Sequence, residues 1–236
     1  MPPLVISAKN LGTFAIEGAC RRCLWIGLHV KPLPYQTFPG IFSSIDAYNK
    51  RIVHQYFDRE GKMPSWLTTL GDVENYVEPP SYHKFSYHEP DLDVTIRGTP
   101  DGVFKMRDGS YTIVDYKTAK YTPGQERLLP IYRAQLNGYA FLGNRLDLGP
   151  VTQIALVYME PVTDQDTAAL PEMVNGRGFT LGLSATVVPV DLDPDGMIPR
   201  LMRRAKEVYD LAAPPEPGDA CKDCSAVLGL TSLLRR

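Results

Sequence analysis

The 236-residue chain has no apolar run approaching the roughly 20 residues of a membrane-spanning helix, and no basic and apolar leader like that of an exported protein. A membrane or secreted protein is therefore not expected. A cytoplasmic one, with reduced thiols, is. Nor is there an excess of one charge: 25 Lys and Arg stand against 27 Asp and Glu, for a net charge of −2. That excludes a protein holding nucleic acid by bulk electrostatics alone, and leaves any phosphate contacts to local clusters. Cysteine is scarce, at four residues, which excludes the disulfide framework of a small secreted fold. No repeat or low-complexity tract argues for a solenoid or a disordered segment.

What is present suits a compact enzyme. With 44% hydrophobic residues the chain can bury one substantial core. We expect one domain over 1–236, with a helical part at 1–60, a core at 90–212 and a cysteine-bearing segment at 213–236. Apolar periodicity and turn residues predict a helix at about 7–26, a loop at 31–34, a helix at about 44–57 and an irregular stretch at 64–90. Strands follow at about 93–96, 102–106 and 111–116, then a helix near 129–142. Further strands are predicted at 152–159 and 179–190, around a polar loop at 163–178, and a last helix at about 194–211. The order is α/β, a mixed β-sheet flanked by helices.

Two acids, Asp101 and Asp115, stand on neighbouring predicted strands, and Lys117 follows the second by two positions. Alternation along a strand puts Asp115 and Lys117 on one face, about 7 Å apart. The register of the hairpin decides whether Asp101 joins them. A two-residue Asp108-Gly109 loop would put Asp101 opposite Tyr116, on the wrong face. A three-residue loop with Gly109 left-handed pairs Met106 with Ser110 and sets Asp101 opposite Asp115. We expect the second. Two carboxylates that close repel unless a cation lies between them. Hard oxygen ligands suit Mg²⁺ or Mn²⁺, and such an ion with a neighbouring lysine is what phosphodiester hydrolysis requires. On the next helix Gln135 and Tyr139, four apart, share a face and can reach the same cleft. Alone, that pair reads more often as a buried amide and a core tyrosine, with Tyr132 and Leu142 on the same stripe.

All four cysteines fall in two Cys-x-x-Cys pairs, Cys20/Cys23 and Cys221/Cys224. In a reducing compartment this spacing reads as a four-thiolate metal site joining the two ends of the chain, for Zn²⁺ or a [4Fe-4S] cluster alike. The site would couple metal binding to folding.

Pro100-Asp101 followed by Asp115-Tyr116-Lys117 resembles the signature of the PD-(D/E)XK nuclease superfamily, which implies a restriction-endonuclease-like fold. The longer match, Gly98-Thr99-Pro100-Asp101-Gly102-Val103, Val114 to Lys120 and then Gln135-Leu136-Asn137-Gly138-Tyr139, is similar to its RecB-type branch. That branch includes AddB-like and CRISPR-associated iron–sulfur nucleases. The resemblance implies that Gln135 and Tyr139 position the DNA or the lysine, and that a histidine from an early helix adds a metal ligand. His54 is the candidate by order along the chain, with His83 and His88 as substitutes. It also implies a [4Fe-4S] cluster, although the branch draws one cysteine from the start and three from the end, whereas this chain draws two and two.

Basic residues cluster on the first two helices, at Arg21, Arg22, Lys50 and Arg51, and on the last. There Arg200, Arg203 and Arg204 share one face and are candidates for DNA phosphates. Tyr82, Phe85 and Tyr87 are candidates for stacking on single-stranded bases, or for the core. The combined expectation is a Mg²⁺- or Mn²⁺-dependent deoxyribonuclease of exonuclease type, acting on ends or single strands in repair, recombination or defence, beside a helicase or other complex subunits. Two alternatives stand beside it: a catalytically silent DNA-binding adaptor of the same fold, and a four-thiol metal or redox sensor. The intact order of acid, acid, lysine, glutamine and tyrosine favours the nuclease.

Overall fold

The computed structural model describes residues 2–31, 39–122, 124 and 128–233. The loop expected at 31–34 lies, from Pro32 on, outside them. In chain order the elements are β1 (Leu4–Ser7), α1 (Ala8–Leu11), α2 (Arg21–His29), α3 (Gly40–Glu60), β2 (Val73–Val77), β3 (Ser86–Glu89), β4 (Val94–Arg97), β5 (Gly102–Met106) and β6 (Tyr111–Lys117). They continue with α4 (Leu129–Gly143), β7 (Val151–Pro161), α5 (Gln165–Ala168), β8 (Val174–Asn175), β9 (Gly178–Phe179), β10 (Leu183–Val190), α6 (Pro194–Tyr209) and α7 (Lys222–Leu233).

The main sheet has the order β10-β7-β6-β5-β2. Its strands are antiparallel except β6 and β7, which run parallel with α4 as the crossover between them. A second sheet, β1-β4-β3, pairs β1 parallel to β4 and β3 antiparallel to it. Together they make the mixed α/β sheet flanked by helices that the sequence predicts.

β6 shows why these residues position a site. It is sandwiched between two strands and covered on both faces, so its residues from Thr112 to Tyr116 are all buried rather than alternating with solvent. Ile113 points into the core shared with α4 and α6, where Leu136, Ala140 and Ile198 pack. Val114 and Tyr116 point the other way, into a core with Val53 of α3 and Leu67. The face that carries Ile113 therefore also carries Asp115 and Lys117, toward α4.

The hairpin adopts the three-residue loop. Met106 donates to the Ser110 carbonyl at 2.8 Å, Gly109 stands at φ 87°, and Gly102 pairs with Val114. Only glycine takes that φ without strain. Extending the register by one residue sets Asp101 against Asp115.

Four expectations need correction. The helix predicted at 7–26 is instead β1, α1, a 3₁₀ turn at Gly12–Ala15 and α2. Ser7 ends the strand and caps α1, its hydroxyl accepting from the Asn10 amide, and Gly18 at φ 71° turns the chain before α2. The stretch at 64–90 holds a 3₁₀ helix and the edge strands β2 and β3, whose short, irregular pairing, with a register shift between Val73 and Asn75, hid their period. The strand predicted at 179–190 is interrupted between Phe179 and Leu183. Finally, α7 forms within the cysteine segment, where no helix was expected, and His88 lies on β3.

Candidate active site and thiol cluster

The acids, the lysine and the α4 pair come together at the ends of β5 and β6. Asp101 Oδ2 accepts from the Tyr116 amide at 3.0 Å, fixing the turn into β5 against β6. Asp115 is 3% exposed. Its Oδ1 accepts from Gln135 Nε2 at 2.9 Å. Its Oδ2 is ion-paired with the Lys117 ammonium. Gln135 Nε2 also donates to the Tyr139 hydroxyl at 2.9 Å, and its Oε1 accepts from Lys117 Nζ at 3.4 Å. The Lys117 ammonium lies 4.2 Å from the centre of the Tyr132 ring, one further turn along α4.

Gln135 and Tyr139, expected to face the cleft, are each only 5% exposed. They sit behind the acid and hold it. The close packing at Tyr139 depends on Gly98, where a Cβ would fall 2.5 Å from the tyrosine ring.

The sequence reading missed two members. From α3, Lys50 Nζ pairs with Asp101 Oδ1 at 2.8 Å and with Asp46 Oδ2 at 3.0 Å. The signal was present in the i, i+4 spacing of Asp46 and Lys50, one turn before His54 on the same stripe. His54 itself turns aside: its ring stacks on Tyr76 at 3.9 Å and Nδ1 faces Glu78 at 3.5 Å. Among the described residues neither His54 nor Asp46 forms a three-ligand group with Asp101 and Asp115. Nor do the substitutes: His83 lies edge-on to Tyr82, and His88 is exposed and bonded to Thr95.

The electrostatics suit a cation. Burial pushes the Asp115 carboxyl up to about 7, the Lys117 charge opposes this, and Asp101 adds to it. Asp46 is raised by burial and by Asp101. With all three carboxylates ionised they outnumber the two ammoniums by one, and burial resists that ionisation at Asp115 and Asp46, a cost that a cation beside them would offset. Asp101 and Asp115 could together hold a divalent metal ion.

The basic cluster on α6, Arg200, Arg203 and Arg204, lines an open cavity of about 380 Å³ with Arg21 and Glu207. Arg204 Nη1 also donates to the Phe14 carbonyl at 2.9 Å, a contact within the fold. Phe85 is fully buried and Tyr87 packs edge-on against Phe141, so both serve the core, while Tyr82 lies exposed under Arg97.

The four thiols form a second cluster. Cys20 and Cys224 are 3.6 Å apart, while Cys23 lies 3.5 Å from both Cys221 and Cys224. All four sulfurs lie within 4.8 Å of one another, and none forms a disulfide. Although burial works the other way, hydrogen bonds from the Cys23 and Gly218 amides and the neighbouring thiols draw Cys20 down to about 6. Burial pushes Cys23 and Cys224 up. Sulfurs so gathered can hold a metal, as the spacing predicts. Among the described residues no helix is long and apolar enough to cross a membrane.

No curated protein matches the chain. The solved structure titled "Crystal structure of SSO0001" is similar over 91% of this chain and 80% of that one, at 14% identity and a TM-score of 0.39, a likeness too slight to bear on the site. The match that bears on it is a family model covering residues 44–227, from the helix that carries Asp46 and Lys50, through the acids and α4, into α7. The chain belongs to the PD-(D/E)XK nuclease superfamily.

Proposed function

We propose that the protein is a Mg²⁺- or Mn²⁺-dependent deoxyribonuclease in which Asp101 and Asp115 hold the ion and Lys117 serves the reacting phosphate. The single observation that carries this reading is the buried cluster in which the Asp115 carboxylate, beside Asp101, is paired with the Lys117 ammonium and held from behind by Gln135 and Tyr139. When bound, the ion supplies Lewis acidity toward the scissile phosphate and the attacking water.

Each residue then has a physical task. Asp115 supplies a hard oxygen ligand from β6 and Asp101 one from the turn just before β5, tied to β6 through the Tyr116 amide, so their separation is set by the paired strands. Lys117, three-point held by Asp115, Gln135 and the Tyr132 face, presents positive charge where the phosphate becomes more negative. Gln135 fixes the rotamer of Asp115 through its amide and that of Lys117 through its carbonyl. Lys50 neutralises Asp101 and Asp46 and screens their repulsion. Arg200 and Arg203 offer charge for the strand outside the site, and His54 takes no part as a ligand. The RecB-type resemblance favours exonuclease action on ends or single strands, within repair, recombination or defence and beside partner subunits.

The test is cleavage of end-labelled single- and double-stranded DNA with Mg²⁺, Mn²⁺ or EDTA, comparing wild type with Asp115→Ala and Lys117→Ala. We expect metal-dependent products, and a loss of about 10²–10³-fold or more in each variant. DNA bound but never cut would make this a silent adaptor.

A further inference from the structure

We propose that the four cysteines bind a single tetrahedral Zn²⁺, as a structural clasp, in place of the iron–sulfur cluster that the family resemblance implies. The proposal stands apart from the cleavage chemistry.

The distances distinguish the two. Four thiolates around one zinc ion, at the usual Zn–S length of about 2.3 Å, lie about 3.8 Å apart at the corners of a tetrahedron. Three of the six separations are 3.5–3.6 Å and none exceeds 4.8 Å, which is the scale of that shell. In a [4Fe-4S] cubane each thiolate bonds a different iron and points away from the cluster centre, so the four sulfurs stand far wider apart. A cluster of two irons separates them into two distant pairs. Here the close contacts run between the two Cys-x-x-Cys pairs, Cys20 to Cys224 and Cys23 to both Cys221 and Cys224, which leaves no such division. The residues do not fit the cluster.

The backbone around the sulfurs repeats one device at both ends of the chain. Cys20 immediately precedes α2 and Cys23 lies in its first turn, and Cys221 and Cys224 hold the same positions in α7. Two helix N-termini thus face the thiolates, where their free amides offset the charge of a four-thiolate zinc centre. The Gly218 amide donates to Cys20 Sγ at 3.3 Å. Glycine eases that approach, because a Cβ on Gly218 would lie 3.3 Å from the same sulfur. Ala220 is held at φ 54°, a left-handed conformation that brings Cys221 back toward the others.

Zinc is favoured over iron(II) for a site of this shape by the general order of divalent affinities. All four positions are taken by protein, so the centre is closed and structural. Among the described residues of α7, Cys224 is the one buried, so the sulfurs are the main attachment of that helix.

The deciding experiment uses the full chain, purified without oxygen from cells supplied with both metals. Zinc, iron and acid-labile sulfide are measured, and the visible spectrum is recorded before and after exchange with Co²⁺. We expect about one zinc per chain, no iron or sulfide, and, with Co²⁺, the intense absorption of a tetrahedral thiolate complex. Iron in stoichiometric amount, with or without sulfide, overturns the proposal. So do four thiols titrating as free in the native protein with no metal bound.

Discussion

The two clusters of ligating side chains solve opposite problems. The acid site is built from residues near one another in sequence and spends folding energy: Asp115 is driven into the interior, and two ammoniums are drawn in to compensate it and its neighbours. The thiol site is built from residues about 200 positions apart, and a metal held there would return folding energy by closing the chain. A site that performs chemistry keeps charge buried at a cost, whereas one that would hold a fold together recovers that cost as stability. Variants at the two should therefore move activity and stability in opposite senses.

The largest effect is expected at the thiols. Cys23→Ser removes the sulfur that contacts two others, and binding energies of structural zinc run to about 10–16 kcal/mol, of which a crippled site retains little. Thermal unfolding should fall steeply, or α7 should detach and become protease-sensitive ahead of the rest. Strong chelators should reproduce this in wild type while Mg²⁺ does not reverse it. A variant with unchanged melting and unchanged proteolysis would mean that the clasp contributes nothing, and the contrast between the two sites would collapse.

Asp115→Asn should do the reverse: abolish cleavage while stabilising the metal-free protein at neutral pH. The sign follows from the raised carboxyl. A group whose proton is held more tightly in the folded state, up to about 7 against 3.8 when free, favours folding at pH below about 4 and loses that contribution as pH rises toward 7. Metal-free wild type should therefore weaken across that window by on the order of a few kcal/mol, with the melting profile of Asp115→Asn flatter. Mn²⁺ should narrow the gap by stabilising the ionised form. If the two profiles run parallel from pH 4 to 8, Asp115 is not held at an energetic cost.

Which parts were legible follows the same division. The acid site depends on short-range rules: alternation along β6, the loop length that Gly109 permits, and the one-turn spacing of Gln135 and Tyr139. All of these can be read locally, and all are seen in the fold. Asp46 and Lys50 were harder because an Asp–Lys pair one turn apart usually marks a solvated helix face, and only the packing of α3 against β6 turns it inward. The same packing carries His54 toward Tyr76, which order along the chain could not foretell. The start of the chain was misread because apolar spacing in residues 7–26 suits a helix. What decides is β1 finding a parallel partner in β4, 90 residues on, a long-range contact with no local trace. For the thiols, the spacing picked out the four sulfurs that gather, but the choice between one ion and a cluster lies in sulfur distances that only the assembled ends define.

The smallest effect tests how the acid site is held rather than whether it works. Tyr139→Phe keeps the ring that packs against Gly98 and removes only the hydroxyl that accepts from Gln135. One buried N–H is left unpaired, a cost of about 1–2 kcal/mol, or a few degrees in melting temperature for a chain of this length. Gln135 still reaches Asp115 through its other hydrogen, so the acid keeps its partner but loses one of the two points that fix the amide. Cleavage under single-turnover conditions should drop about tenfold or less, far short of Asp115→Ala, while DNA binding is unchanged. A loss as deep as that of Asp115→Ala would mean that Tyr139 touches the reacting groups directly, despite its burial. No loss in either rate or melting would mean that Asp115 and Lys117 are positioned by β6 alone, and that the amide behind them is packing rather than support.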